Sequence, residues 1–268
     1  MKKVLYVLLL VILLAVFSYS AWQLYTVIAD YQAGTQAYTG LDQYLATGGY
    51  EPQENTSDHN PKETEHQEKL EEIQSEEPVL VVDFEGLSQM NPDITGWLYI
   101  EGTKISYPVV QAYDNNYYLR RMFDGTRNNA GCLFMDEECN GDFSEYNSII
   151  YGHNMRNGSM FADLVKFKDQ EFFEEHPVGY LLTPDKNYKI LFFSGYVCGT
   201  KDSAWDANMT EEEYAAWLKE ITGKSTLATD VVPLVTDQVL TLSTCSYEFS
   251  NARYILHGIL VDPDQQRN

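Results

Sequence analysis

The chain has 268 residues, with 18 lysines and arginines against 40 aspartates and glutamates, and a formal net charge of −22. A surface this acidic repels phosphate backbones, which excludes a nucleic-acid partner. The 20 tyrosines and 12 phenylalanines favour β-strands over helices, because aromatic side chains suit a pleated sheet.

An apolar segment opens the chain. Lys2 and Lys3 precede a run without charged residues that lasts until Asp30, longer than the roughly 20 residues a helix needs to cross a bilayer. We therefore predict a transmembrane anchor over residues 1–29, with the lysines on the cytoplasmic side and the remaining chain outside the cell. A signal peptide cleaved near residues 18–21 is the alternative, but the apolar pattern continues through Ile28 and favours an anchor.

Residues 30–78 are predicted to form an extracellular acidic stalk, partly helical. The helix of the anchor can continue into residues 30–49, whereas residues 51–77 are too polar to fold alone. A short helix is expected at residues 65–74, and packing of the last third on the domain is the competing interpretation. The folded domain is expected over residues 79–263, with a C-terminal tail at 264–268.

Short strands dominate the predicted domain. Apolar and β-branched runs indicate strands at residues 97–100, 105–110, 131–136, 148–151, 179–182, 188–193, 196–198, 239–244 and 254–261. Helices are expected at residues 83–89, 159–166, 170–175 and 211–221. The last of these begins with a capping box, Thr210 and Glu213, and ends at Gly223. Many strands without βαβ alternation predict a mainly β fold, a barrel or a sandwich with peripheral helices.

The four cysteines leave two structural interpretations open. An even number outside the cell is compatible with a disulfide, for example between Cys132 and Cys139. Cys132 and Cys198 lie in apolar runs, however, where a free thiol behaves as a small buried hydrophobic group. The chain has no CxxC pair, no HExxH motif and no compact loop of oxygen ligands, so we predict neither a metal nor a cofactor.

The chemistry of the chain is concentrated in the segment Thr241-Leu242-Ser243-Thr244-Cys245, which Arg253 follows. Alternation along a strand puts Leu242 toward the core and Cys245 on the opposite face, where a substrate can reach it. A hairpin through residues 246–251 would return Arg253 to the vicinity of Cys245. A thiol that attacks a carbonyl and a guanidinium that holds the oxyanion are components of acyl transfer.

Two histidines compete for the proton-transfer role. His153 stands at the end of a predicted strand, where a turn residue is also common. His257 shares a strand face with Arg253, but it lies four positions further along the strand, which is a distance of about 13 Å. That distance is too great for the two side chains to serve one oxyanion, so we favour His153.

These residues carry a resemblance to a known family. Residues 241–245 with the following Arg253 resemble the TLxTC…R signature of the sortases, and Tyr151-Gly152-His153 resembles the strand-end histidine of that family. Residues 131–136, Phe161 and the helix at 211–221, inserted before the last two strands, resemble class B sortases in particular. The resemblance extends from about residue 79 to residue 261 and implies a closed β-barrel.

The resemblance also implies an activity. A class B sortase is a membrane-anchored extracellular cysteine transpeptidase that cleaves a C-terminal Asn-Pro-x-Thr-x sorting signal of a secreted protein after Thr. It transfers the acyl group to an amine of a lipid-linked cell-wall precursor. The implied catalytic residues are Cys245, His153 and Arg253, and the implied substrate-binding residues are Ser243, Thr244 and Asn154. A pilin-polymerising sortase and a non-enzymatic membrane-anchored adhesion domain are the alternatives.

Overall fold

Eight strands form a closed barrel in a computed structural model, which describes residues 2–48 and 79–262. The predicted stalk helix at 65–74 and the tail at 264–268 lie outside the described residues. The barrel strands are β3 (Ile94–Tyr99), β4 (Ser106–Val110), β5 (Leu133–Met135), β6 (Asn147–Tyr151), β7 (Val178–Leu182), β8 (Asn187–Cys198), β9 (Gln238–Cys245) and β10 (Arg253–Val261).

The barrel is mixed. Its strand order is β10-β8-β7-β3-β4-β5-β6-β9, which closes back on β10. The pairs β4–β5 and β6–β9 are parallel, and the other neighbours are antiparallel. Trp97, Leu242 and Leu256 are fully buried in the main core. The prediction of a mainly β fold closed into a barrel with peripheral helices is therefore confirmed.

Three predicted elements differ in detail from the structure. The two strands predicted at 188–193 and 196–198 form one strand, β8. The helix predicted at 159–166 is only a 3₁₀ helix, Asp163–Lys168, because Met160 has a φ of 57° and cannot belong to a right-handed helix. The inserted helix runs from Glu211 to Lys224, so Gly223 lies inside it and does not end it, whereas the capping box at its start is present.

The folded unit begins earlier than residue 79. Helix α1 (Lys2–Thr39) continues past the apolar segment, and Tyr38 and Leu41 are buried in the core of the domain. A 3₁₀ helix, Asp42–Tyr44, leads into β1 (Leu45–Gly48), which pairs with β2 (Val79–Val82). Part of the segment expected in the stalk therefore packs on the domain, because Tyr38, Leu41, Tyr44 and Leu45 bury apolar surface against its core.

The other helices cover the outside of the barrel. They are α2 (Phe84–Met90), α3 (Gln170–Glu175), α4 (Glu211–Lys224) and the 3₁₀ helices Tyr117–Arg120 and Ser203–Trp205. Helix α4 buries Tyr214, Trp217 and Ile221 against β8, β9 and β10 in a second core cluster. The insertion between β8 and β9 thus lies on the outer barrel face that also carries the odd-numbered residues of β9.

Candidate active site

Cys245 and Arg253 are direct partners at the end of the β9–β10 hairpin. The register pairs Cys245 with Arg253, and Ser246 N donates to Ala252 O (2.9 Å) to close the connecting loop. Directly opposite residues share a face, with Cβ atoms about 5 Å apart. The sulfur and the guanidinium stem therefore leave the sheet side by side, and both side chains are half-buried.

His153 joins them from the neighbouring strand. β6 runs parallel to β9, with Tyr151 paired to Ser243, so two further residues along each strand bring His153 beside Cys245. Hydrogen bonds on both sides of His153 hold this register: Gly152 N donates to Ser243 O (3.1 Å), and Asn154 Nδ2 donates to Cys245 O (2.9 Å). The structure thus brings all three predicted catalytic residues to one end of the barrel.

A backbone carbonyl fixes the proton of His153. Nε2 of the ring lies 2.7 Å from Leu119 O, in the 3₁₀ helix Tyr117–Arg120. A carbonyl oxygen only accepts, so Nε2 must carry a hydrogen and donate it. Nδ1 is then the ring nitrogen available for proton exchange, since it has no hydrogen-bond partner among the described residues.

Gly131 explains how the Leu119 carbonyl reaches that position. Gly131 has a φ of 61°, and a Cβ built there would lie 2.7 Å from Tyr118 O and 2.8 Å from Leu119 O. Only glycine tolerates both the left-handed backbone and the close approach. The loop before β5 can therefore pack directly against the backbone that supports His153.

The three predicted substrate-binding residues already have protein partners. Asn154 holds the Cys245 carbonyl, and Thr244 Oγ1 donates to Gly152 O (2.7 Å). Ser243 is buried, and its Oγ accepts from Nε1 of Trp205 (3.1 Å). These hydrogen bonds hold the strand ends around Cys245. The half-buried Trp205, from the segment inserted between β8 and β9, contacts the face of β9 that carries Ser243 and Cys245.

The rival histidine is enclosed in the second core cluster. His257 is fully buried, its Nδ1 lies 2.8 Å from Thr241 Oγ1, and its Nε2 lies 3.3 Å from Tyr196 Oη. Burial lowers its pKa to about 3, and the charge of Lys224 acts in the same direction. A neutral imidazole without solvent contact has a packing role at this place.

The other three cysteines are free thiols and form no disulfide. Burial raises the pKa of each of Cys132, Cys139 and Cys198 to about 12. Their thiolate forms are therefore negligible near neutral pH, and Cys245, which is half-buried, is the most accessible of the four thiols. Among the described residues, no cluster of three or more His, Cys, Asp or Glu side chains could hold a metal ion.

A cysteine at the barrel end, a guanidinium beside it and an imidazole with a fixed tautomer are the groups that thiol-dependent acyl transfer requires. The sequence pattern of the sortase domain matches residues 98–261, and the chain belongs to the sortase family. It is a class B sortase by its relatives, and it is a cysteine transpeptidase.

Three comparisons carry this assignment. Sortase B of Listeria monocytogenes is 35% identical over 178 residues, which are 65% of this chain and 72% of that protein. The crystal structure of sortase B from Bacillus anthracis in complex with AAEK1 is 29% identical and covers 88% of this chain and 100% of its own, with a TM-score of 0.70. A Staphylococcus aureus sortase B–substrate complex is 31% identical and covers 68% and 85%, with a TM-score of 0.64.

The Leu119 carbonyl and Trp205 were not predicted from the sequence. The Leu119 carbonyl has no side-chain signature, because any residue supplies a carbonyl. Trp205 lies 38 positions before Ser243 in the chain, and nothing in its local sequence indicates that contact. The only available signal was Gly131, since an isolated glycine beside a strand indicates a close backbone approach.

Proposed function

We propose that this transpeptidase is anchored in the cell membrane by residues 1–29, with its N-terminus in the cytoplasm and its catalytic domain outside. One helix in the described part of the chain is long and apolar enough to span a bilayer. Its apolar side chains up to Ile28 are exposed, and the two lysines precede them.

The domain then lies next to the extracellular surface of the cell membrane. Asn128 Nδ2 donates to Asp30 O (2.8 Å), and Asn129 Nδ2 donates to Asp30 Oδ2 (2.9 Å), so the barrel contacts α1 at the first residue after the anchor. This placement brings the site close to both secreted chains and lipid-linked amines.

The pairing of Cys245 with Arg253, with His153 beside them, is the observation that carries the mechanism. The Cys245 thiolate attacks the carbonyl carbon of the Thr residue in an Asn-Pro-x-Thr-x signal, and Arg253 holds the resulting oxyanion. The C–S bond forms and the C–N bond breaks. The leaving amine takes a proton from Nδ1 of the His153 imidazolium, whose Nε2–H remains on Leu119 O.

The second half of the reaction reverses the proton transfer. The amine of a lipid-linked cell-wall precursor gives its proton to Nδ1 of His153 and attacks the thioester. A new amide forms, and the Cys245 thiolate leaves. Splitting one amide exchange into two steps through a thioester lowers each barrier. Asn154, Ser243 and Thr244 hold the strand ends that surround the bound signal.

The test is peptide exchange by the full chain in detergent micelles. Fluorescent peptides carrying Asn-Pro-Gln-Thr-Asn or Leu-Pro-x-Thr-Gly are offered with either an oligoglycine amine or a lysine side-chain amine, and mass spectrometry identifies the products. We expect cleavage after Thr in the Asn-Pro peptide and an amide with one acceptor. Cys245→Ala should abolish both products, and Cys139→Ala, which removes a buried thiol, should keep them.

The choice of peptide and acceptor separates the alternatives. Preference for the Leu-Pro peptide would refute the proposed signal, and exchange onto the lysine side-chain amine but not onto oligoglycine would favour the polymerising alternative. Unchanged activity in Cys245→Ala would refute the mechanism.

A further inference from the structure

A polar cluster behind the nucleophile has no part in the chemistry described so far. Lys168 Nζ donates to Ser246 Oγ (2.7 Å) and forms an ion pair with Glu248, and Ser246 Oγ donates to Glu248 Oε2 (2.5 Å). Ser246 is the chain neighbour of Cys245 and is buried, at 5% exposure. We name these three residues the Lys168 strap.

The strap joins the two segments that carry the thiol and the imidazole. Lys168 ends the 3₁₀ helix Asp163–Lys168, which follows His153 in the chain, and Phe161 N donates to His153 O (2.9 Å). Ser246 and Glu248 belong to the loop between β9 and β10, which follows Cys245. One ammonium therefore links the 3₁₀ helix that follows His153 in the chain to the side chains of Ser246 and Glu248, in the loop that follows Cys245.

The surroundings favour a persistent contact. The Lys168 ammonium lies 5.6 Å from the ring centroid of the buried Tyr254, on the strand that starts with Arg253, which adds a cation–π attraction. The Lys168 and Ser246 hydrogen bonds lower the pKa of Glu248 to about 2. A pKa this low keeps the Glu248 carboxylate charged above about pH 4, so both partners of the ion pair remain ionised near neutral pH.

We propose that the Lys168 strap is a positioning element of the active site, which fixes the backbone on the far side of Cys245 relative to the segment that follows His153. It rests on the proposed function for the reaction it serves. The Asn154 bond to the Cys245 carbonyl ties the near side of the nucleophile, and the strap ties the far side. Without the strap, the thiol and imidazole lose their fixed approach although both remain present.

The variants are Lys168→Met, Glu248→Gln, their combination, and Lys168→Arg, all in the full chain. Lys166→Met is the matched control, because Lys166 lies on the same 3₁₀ helix and pairs with Asp163 (2.9 Å), away from the loop. We expect about a tenfold fall in kcat for Lys168→Met and for Glu248→Gln, with little change in KM, since small misplacements cost large rate factors.

Three readouts distinguish positioning from other roles. The double variant should fall no further than either single variant, because both break one element. Lys168→Arg should restore most of the kcat, and Lys166→Met should match the original chain. The losses should be parallel at all pH values between 6 and 9, measured well below each unfolding temperature.

A through-space charge effect on the thiol makes the opposite prediction. Removing a positive charge in Lys168→Met and a negative charge in Glu248→Gln would then move kcat and the pH dependence of Cys245 alkylation by iodoacetamide in opposite directions. That result, or full kcat in both single variants, would overturn the proposal. If the original chain does not cleave the peptides, the proposed signal fails, and the alkylation of Cys245 still tests the strap without any substrate. Positioning then predicts the same change in alkylation rate in Lys168→Met and Glu248→Gln, and opposite shifts with pH would overturn the proposal.

Discussion

The buried His257 should make the domain acid-sensitive by a calculable amount. Its Nδ1–H donates to Thr241 Oγ1, which itself donates to Asn147 Oδ1 (2.5 Å), and burial lowers the pKa to about 3 from an ordinary value of 6.5. The unfolded chain binds more protons than the folded chain between these values. The stabilising term is therefore complete above pH 6.5 and is lost progressively as the pH falls toward 3.

The loss between pH 7 and pH 5 is about 2 kcal/mol, at 1.36 kcal/mol for each unit of pKa difference that is sampled. Urea denaturation of the full chain in detergent at the two pH values measures it. His257→Gln is the comparator, because it keeps an amide for hydrogen bonding and does not titrate. Its free energy of unfolding should fall by about 2 kcal/mol less than that of the original chain. Equal losses in the two proteins would show that burial of His257 does not contribute to the acid sensitivity.

Three further predictions follow from the same structure. Iodoacetamide at pH 8 should label Cys245 alone in the folded chain and all four thiols in urea, counted by intact mass; a second folded-state label would contradict the burial of the others. Gly131→Ala should reduce kcat well beyond any loss of stability, because the new Cβ displaces the Leu119 carbonyl from His153; wild-type kcat would disprove that support. Tyr38→Phe should cost about 1–2 kcal/mol in thermal or urea unfolding, since the 2.5 Å bond to Gly131 O is buried, and no cost would argue against docking of α1.

The strand end with Cys245, the turn that returns Arg253 and the start of helix α4 were predictable, because each depends on residues close together in the sequence. Alternation placed Leu242 inward and Cys245 at a strand exit, and the hairpin length returned Arg253 to its partner. The capping box of Thr210 and Glu213, only three positions apart, indicated the start of helix α4. Each of these inferences depends on spacing within one strand, turn or helix.

The groups that complete the site depend on contacts between distant parts of the chain. The bond from His153 to Leu119 spans 34 positions, and the strap from Lys168 to Ser246 and Glu248 spans about 80. A lysine on a short helix has the same local sequence whether it faces solvent or a loop. Such contacts follow from barrel closure, which local spacing does not encode.

The burial of Tyr38 and Leu41 in the core was missed for a related reason. Tyr38 lies in the last turn of α1 and Leu41 lies just beyond its end, and these two buried apolar residues, three positions apart, were the visible sign that the chain packs on the domain there. β1 is stabilised by pairing with β2, which follows the acidic segment in the chain. A four-residue strand has too short a sequence pattern to be distinguished from an irregular stalk.

The formation of a thioacyl-enzyme on Cys245 can be measured directly from the mass of the enzyme during turnover. The full chain is mixed with the Asn-Pro-Gln-Thr-Asn peptide without an acceptor amine, quenched in acid within seconds, and digested for mass spectrometry. We expect an added mass equal to the peptide acyl group ending in Thr, located on Cys245, which disappears when an amine is supplied. Peptide cleavage without that adduct, or an adduct on another residue, would contradict the assignment of Cys245 as the nucleophile.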